Sequence, residues 1–201
     1  MAEPIAFYFE FASPYAYIAA QQIDAAAARH GRAVDWKPIS LAHVFKARGV
    51  ARDAMPREKL DYIMRDSFRS AEMLGLPIRT PAHFPVDSKA ARQAFWRLRA
   101  RDPALAARFA RAVFERYWGR GEDIATPAQL AEAAAPLGVG ADEIVAALAD
   151  GAARQAAIDA TNEAVARGVF GAPSFIVDGE LFWGQDRIAM IEWRLDNPRA
   201  A

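Results

Sequence analysis

The sequence contains no cysteine among its 201 residues. Without a thiol, the chain cannot form a disulfide, carry a Cys-x-x-Cys redox pair, use its own thiolate as a nucleophile or bind a metal through sulfur. Its 25 basic and 25 acidic residues leave no net charge, so no overall field attracts nucleic acid or anionic lipid. The expected partners are therefore small molecules.

Two kinds of apolar segment are also missing. No run of about eighteen apolar residues is present that could cross a membrane. The first residues lack the basic segment and long apolar stretch that are typical of a secretory signal. This pattern leads us to expect a cytoplasmic protein that does not bind membranes.

Two common catalytic patterns are absent as well. The three histidines, His30, His43 and His83, do not form an HExxH or comparable pair, so we expect no histidine-ligated metal. Ser13 does not lie in a GxSxG elbow, and no histidine occupies a position that marks it as a base for this serine. A hydrolase is therefore not favoured.

The element pattern changes twice along the chain. Residues 5–11 form an apolar run that predicts a strand, followed by a helix over about 15–30 that ends at Gly31 and a second strand over 34–39. Residues 41–167 show helical spacing throughout, in the segments 60–74, 90–98, 104–118, 128–135, 144–148 and 156–165. Strand patterns return at 174–177 and 181–183 as a hairpin, and a final helix is predicted over about 187–195.

This order predicts an α/β protein with a thioredoxin-like fold, βαβ followed by ββα, and an all-helical domain inserted in the middle. The first two strands should pair in parallel because a helix connects them. We expect residues 1–40 and 168–201 to form the thioredoxin-like domain. The helical insertion, with its connecting helices, would then comprise residues 41–167.

The predicted helix that follows the first strand starts at Ser13 and Pro14. Unpaired backbone N–H groups and the positive end of the helix dipole converge at such a start, so an anion would be stabilised near the Ser13 hydroxyl. The same two residues are also an ordinary N-cap and first-turn proline. From this motif alone both interpretations stay open.

Two later motifs have similar alternatives. Pro173 opens a strand, where a cis Ala172–Pro173 peptide would turn backbone groups toward a ligand, although a proline at a strand start is also common. Gly184, Gln185 and Asp186 lead from the last strand into a helix. There Asp186 could bind a ligand ammonium group or act only as an acidic cap.

In combination these motifs resemble those of 2-hydroxychromene-2-carboxylate isomerases, which belong with kappa-class glutathione transferases to the DsbA-like thioredoxin superfamily. The similarity spans nearly the whole chain. It is carried by residues 9–17 (FEFASPYAY), 168–175 (GVFGAPSF) and 181–187 (LFWGQDR). The resemblance implies the same fold and a glutathione-dependent isomerase acting on 2-hydroxychromene-2-carboxylate or a similar aromatic acid. It also implies a homodimer.

The resemblance further implies roles for individual residues. The serine at position 13 contacts the glutathione sulfur, Ala172 before Pro173 pairs with the peptide backbone of glutathione, and the turn of Gly184, Gln185 and Asp186 holds its γ-glutamyl end. The second substrate would bind between the thioredoxin core and the insertion. Candidate residues for that pocket are Lys46, Arg48, Lys59, Tyr62 and Phe84.

One segment departs from the family pattern. After the second strand many relatives have an asparagine followed by paired prolines, whereas residues 48–52 of this chain read RGVAR. The particular aromatic substrate is therefore left open. Two other functions also remain: a kappa-like glutathione transferase or peroxidase, and a thioredoxin-fold binding protein without catalysis.

Overall fold

The computed structural model describes residues 3–50 and 56–198, and a four-stranded mixed sheet organises them. Strands β1 (Ile5–Phe9) and β2 (Val34–Pro38) pair in parallel, as the connecting helices predict. Strands β3 (Ser174–Val177) and β4 (Glu180–Trp183) form an antiparallel hairpin, and β3 also pairs antiparallel with β1. The strand order is β2, β1, β3, β4, so β1 and β3 are central.

All other regular elements of the described residues are helical. Between β1 and β2 lie α1 (Pro14–Ala20) and α2 (Ile23–Arg29). Between β2 and β3 the α-helices are α3 (Leu41–Ala47), α4 (Arg57–Met73), α5 (Lys89–Arg101), α6 (Pro103–Phe114), α7 (Pro127–Ala134), α8 (Ala141–Ala149) and α9 (Gly151–Ala166). The last helix of the described residues is α10 (Ile188–Asp196). No helix of the described residues is long and apolar enough to cross a membrane.

Strand β1 lies at the centre of the core because its side chains are buried on both faces of the sheet. On one face the Phe9 ring packs 5.5 Å from Trp36 and 5.4 Å from Phe114 of α6. On the other face Tyr8 packs in a smaller cluster with residues of β3, α3 and α9. Burying each large apolar side chain contributes about 1.5–3 kcal/mol, so these contacts fix β1, and therefore its carboxyl end, in one position.

Three element predictions need correction. The helix predicted over 15–30 is two helices, because Gln22 N donates to Ala19 O at 3.0 Å and its side chain donates to Ile18 O, which ends α1. Helix α3 lies within the block predicted to be helical but outside its named segments, and Ser40 caps its start by accepting from His43 N. The helix predicted over 104–118 changes to a π-turn at Glu115–Gly119.

Candidate functional site

Ser13 lies between the end of β1 and the first residue of α1. It has an extended backbone, and its Oγ accepts a hydrogen bond from Ala16 N at 3.2 Å, as the predicted N-cap would. Its own N–H donates to Glu10 O at 2.9 Å, which closes the turn before the helix. Ser13 is only 8% exposed, so its hydroxyl is held in a largely desolvated position.

The segment around Pro173 lies directly opposite this hydroxyl. The Ala172–Pro173 peptide is cis, and Ser13 Oγ donates to Ala172 O at 3.1 Å. Ser174 stabilises the same segment, because its Oγ donates to Gly171 O at 2.8 Å. Two predicted site segments, 159 residues apart in sequence, are therefore in direct contact.

The turn after β4 joins the same group. Gly184 N donates to Pro173 O at 3.0 Å. Gly184 has a φ of +117°, and a Cβ at this position would lie 2.4 Å from Asp186 Oδ1. The Asp186 carboxylate pairs with the neighbouring Arg187 at 3.2 Å, with both side chains still exposed to solvent. Gln185 points elsewhere, and its Nε2 donates to Ser70 Oγ of α4 at 3.3 Å.

The five residues predicted for the second substrate lie on three segments of the helical block. Lys46 is exposed on α3, whereas the nearby Arg48 donates through Nη2 to Val165 O at 2.7 Å. Lys59 and Tyr62 lie on the exposed side of α4. Phe84 packs 5.6 Å from Trp118 and remains 38% exposed.

Among the described residues, no side-chain hydrogen bond or ring contact joins these five residues to one another. Ala51 and Arg52, which belong to the segment that departs from the family pattern, lie outside the described residues.

A tyrosine near Ser13 was not predicted as part of the site. Tyr15 OH donates to Asp66 Oδ2 of α4 at 2.8 Å. Burial, together with this carboxylate, raises the pKa of the Tyr15 phenol well above its ordinary value. The same hydrogen bond from Tyr15 lowers the pKa of Asp66 against the opposing effect of burial. Tyr15 is therefore a neutral hydrogen-bond donor at neutral pH and not a base.

A buried carboxylate at the end of β1 was also missed. Glu10 is 7% exposed, and its side chain accepts from Ser88 Oγ, from Leu41 N at 3.2 Å and from Arg92 Nη1 at 3.1 Å. The available sequence signal was a single carboxylate within an otherwise apolar and aromatic run, since acidic residues are rarely buried unless they are paired. Its partners come much later in the chain, so the sequence could not identify them.

The arrangement places polar groups of three separate segments next to one another. A buried hydroxyl at a helix start, the backbone beside a cis-proline and a glycine turn with an exposed carboxylate follow one another through hydrogen bonds. No group of three or more metal-ligating side chains occurs in the part of the chain that the structure describes. The fold and the site together define a thioredoxin-fold protein in which a buried serine caps the helix that follows the first strand.

Comparisons with known proteins give the particular family. The model of the DSBA-like thioredoxin domain matches residues 4–196. The 2-hydroxychromene-2-carboxylate isomerase of Sphingobium xenophagum is 32% identical over 199 residues, which cover 96% of this chain and 97% of the relative. A solved structure of a 2-hydroxychromene-2-carboxylate isomerase has a TM-score of 0.82 and 31% identity, covering 96% of this chain and 94% of that one.

A kappa-class relative is more distant. Glutathione S-transferase kappa 2 of Caenorhabditis elegans is 29% identical over 215 residues, covering 96% of this chain and 92% of the relative. The chain belongs to the 2-hydroxychromene-2-carboxylate isomerase family of the DSBA-like thioredoxin domain, which makes it an enzyme of the isomerase type. The resemblance and the α/β thioredoxin-like fold predicted from the sequence are thereby confirmed.

Proposed function

We propose that this protein is a glutathione-dependent cis–trans isomerase of 2-hydroxychromene-2-carboxylate or a similar aromatic acid. The observation that carries the proposal is the contact between Ser13 Oγ and Ala172 O, 3.1 Å apart, which unites the helix start and the proline segment in one site. The family relatives support the isomerase activity and the substrate class. The kappa-class relative supports glutathione as the thiol.

Glutathione would bind along the candidate site. Ser13 would contact its sulfur, Ala172 and Pro173 would meet its peptide backbone, and Gly184, Gln185 and Asp186 would hold its γ-glutamyl end. The residues fit this ligand in one specific respect. Gly184 has a φ of +117°, which strains any other residue, and the absence of a Cβ leaves room for the Asp186 carboxylate, which pairs with Arg187 and would also accept from an ammonium group.

Ser13 would stabilise a thiolate by turning its hydroxyl from Ala172 O toward the sulfur, since a hydroxyl hydrogen rotates to suit its acceptor. Lowering a thiol pKa from about 8.5 by about two units requires about 2.7 kcal/mol of preferential stabilisation. A charge-assisted hydrogen bond contributes about 1.5–3 kcal/mol, and a favourable helix terminus up to about 2 kcal/mol. The two effects together are sufficient.

The chemistry that bound glutathione supplies is reversible addition of its thiolate to the conjugated carbon–carbon double bond, which becomes single, rotates and is restored on expulsion of the thiolate. Ser13 is not the nucleophile in this scheme. It donates a hydrogen bond whenever the sulfur is negatively charged, before addition and after expulsion. Burial of Ser13 strengthens that interaction by excluding competing water.

The acid substrate would bind on the side of the helical block. Phe84 offers an exposed ring, Tyr62 offers a second ring, and the cations Lys46, Arg48 and Lys59 are candidates to pair with a substrate carboxylate. We further propose a cytoplasmic homodimer that binds neither nucleic acid nor membranes, as the resemblance and the composition suggest. Sedimentation analysis of the purified protein tests the dimer.

A kappa-like transferase or peroxidase is the second candidate, favoured by the kappa-class relative. In that reaction an electrophile or a hydroperoxide consumes glutathione, whereas the isomerase regenerates it. A binding protein without catalysis would bind glutathione without converting either acid.

The decisive assay mixes purified protein with 2-hydroxychromene-2-carboxylate, with and without glutathione, and follows the ultraviolet spectrum and the free thiol together. We expect a spectral change that requires glutathione while the thiol concentration stays constant. Loss of thiol in proportion to turnover would favour the transferase. Unchanged spectra in both mixtures would reject the isomerase.

A further inference from the structure

Glu10 is a buried charged residue that the proposed chemistry does not use. Its side chain makes three contacts, to Leu41 at the start of α3, to Ser88 before α5 and to Arg92 within α5. We propose that Glu10 is a positioning residue, which fixes the elements of the acid-substrate pocket relative to Ser13. This inference rests on the proposed function and deepens it.

The contacts satisfy the carboxylate almost completely. Arg92 Nη1 lies 3.1 Å from Oε2, Leu41 N lies 3.2 Å from the same oxygen, and Ser88 Oγ donates to Oε1. Arg92 and Ser88 also bond to each other. A buried charge is tolerated only when it is paired and hydrogen-bonded in this way. Each contact therefore holds its partner in a narrow range of positions.

Two partners of Glu10 lie close in sequence to predicted acid-binding residues. Leu41 is the first residue of α3, the helix that carries Lys46. Ser88 follows shortly after Phe84 in the sequence. A further hydrogen bond, from Trp118 Nε1 to Phe11 O at 2.9 Å, ties the Phe84 contact surface to the same turn.

The proposed glutathione residues depend much less on the Glu10 side chain. Ser13 N bonds to the backbone carbonyl of Glu10, and that bond survives a change of side chain. Ala172 and Gly184 are connected to Ser13 and Pro173, respectively. A change of the Glu10 side chain should therefore impair binding or conversion of the acid and leave glutathione binding unchanged.

The test is Glu10→Gln, which keeps the shape of the side chain but removes the negative charge that pairs with Arg92. We expect KM for 2-hydroxychromene-2-carboxylate to rise, or kcat/KM to fall, on the order of tenfold or more, because small displacements of positioning groups are costly. The Kd for glutathione, measured by calorimetry, should stay unchanged.

Glu163→Gln is the matched control. Glu163 is likewise a carboxylate paired with a cation, Lys37 Nζ at 2.7 Å, and it accepts from Tyr8 OH at 2.8 Å, but its side chain bonds none of the three partners of Glu10. It should lower stability without changing either substrate constant. Ser88→Ala removes one contact of Glu10 without changing charge, and it should reproduce the effect of Glu10→Gln in weaker form even if that variant folds poorly.

The outcomes separate the two proposals. An active wild type with unaltered constants in Glu10→Gln and Ser88→Ala would overturn the positioning role and leave the proposed function intact. Equal losses of acid and glutathione binding, or the same pattern in Glu163→Gln, would overturn the positioning role and show that Glu10 has only a structural role. A wild type that neither binds glutathione nor converts the acid would overturn the proposed function, and the inference with it.

Discussion

At the scale of single residues, two neighbouring cations for which the sequence predicts one role have different surroundings. Lys46 is exposed on α3, while Arg48 donates to Val165 O at 2.7 Å and to Val169 O at 3.4 Å. These carbonyls lie at the end of α9 and just beyond it, where backbone acceptors lack helical partners. Arg48 therefore supports the segment that leads to Ala172, whatever it contributes to the acid.

This difference gives the first prediction. Arg48→Ala should lower the free energy of unfolding by about 0.5–1.5 kcal/mol through its lost hydrogen bonds, whereas Lys46→Ala should change it by less than about 0.5 kcal/mol. Lys46→Ala should instead raise KM for the acid. Urea unfolding and steady-state kinetics of both variants check this. Equal stability of the two variants would contradict the structural role of Arg48.

The residues of the candidate site were predicted unequally. Ser13, Ala172 and Gly184 could be proposed from the sequence because each stands at the junction of two elements, where serine, proline or glycine gives a recognisable signal, and the family resemblance added their roles. Glu10 and Tyr15 have no such signal. Their hydrogen-bond partners are Ser88, Arg92 and Asp66, which only the packing of the helical block brings to them.

At the scale of elements, α4 is the long helix that packs least deeply. Of its 17 residues only Ser67 and Ala71 are buried. Two hydrogen bonds connect it to the candidate site, from Tyr15 OH to Asp66 at 2.8 Å and from Gln185 Nε2 to Ser70 at 3.3 Å. Hydrogen bonds therefore hold α4 in place where other helices are held by buried apolar side chains.

The second prediction concerns these links. Because the folded-state pKa of Asp66 is lowered, the stabilisation by its carboxylate is fully present above the unfolded pKa of about 3.9. It is lost as pH falls through the lower folded value. The protection factors of the α4 amides, which correct for the slower intrinsic exchange in acid, should therefore fall as pH falls. In Tyr15→Phe these protection factors should already be lower at neutral pH.

Tyr8→Phe serves as the control, since Tyr8 also donates to a carboxylate, that of Glu163, but lies away from α4. It should leave exchange of α4 unchanged. Equal protection of α4 amides in Tyr15→Phe and wild type would show that the Tyr15 link is dispensable.

Local sequence patterns predict the presence of the helices and strands more completely than they predict the residues at which these elements end. The predicted hairpin of β3 and β4 turns at Asp178 and Gly179, a residue pair typical of such turns, and both adopt the positive φ, 48° and 82°, that the turn requires. The break between α1 and α2 was not predicted. It depends on the Gln22 side chain returning to Ile18 O, and glutamine is otherwise an ordinary helix residue.

At the scale of the whole molecule, one apolar cluster joins the sheet to the helical block. It includes Phe9 and Phe175 of the sheet with Phe95 and Phe114 of the block, and all four are fully buried. The proposed division into residues 1–40 with 168–201 and residues 41–167 therefore describes topology. It does not imply two parts that are stable separately.

The third prediction follows from this shared core. Far-ultraviolet circular dichroism and tryptophan fluorescence should report one coincident unfolding transition. Phe114→Ala should lower stability by about 3–5 kcal/mol without splitting that transition. Phe170→Ala, which truncates a phenylalanine that is 46% exposed, should have a much smaller effect. Two separate transitions would instead support independent domains.

The claim on which the account depends is that Ser13 holds the sulfur of glutathione as a thiolate. The most direct measurement is an ultraviolet difference titration of the bound thiol in wild type, in Ser13→Ala and in the control Thr126→Ala, which loses the same kind of N-cap at α7. The account predicts a bound thiol pKa well below the free value of about 8.5 in wild type and in Thr126→Ala, and a return toward that value in Ser13→Ala. The same pKa in all three proteins would contradict it.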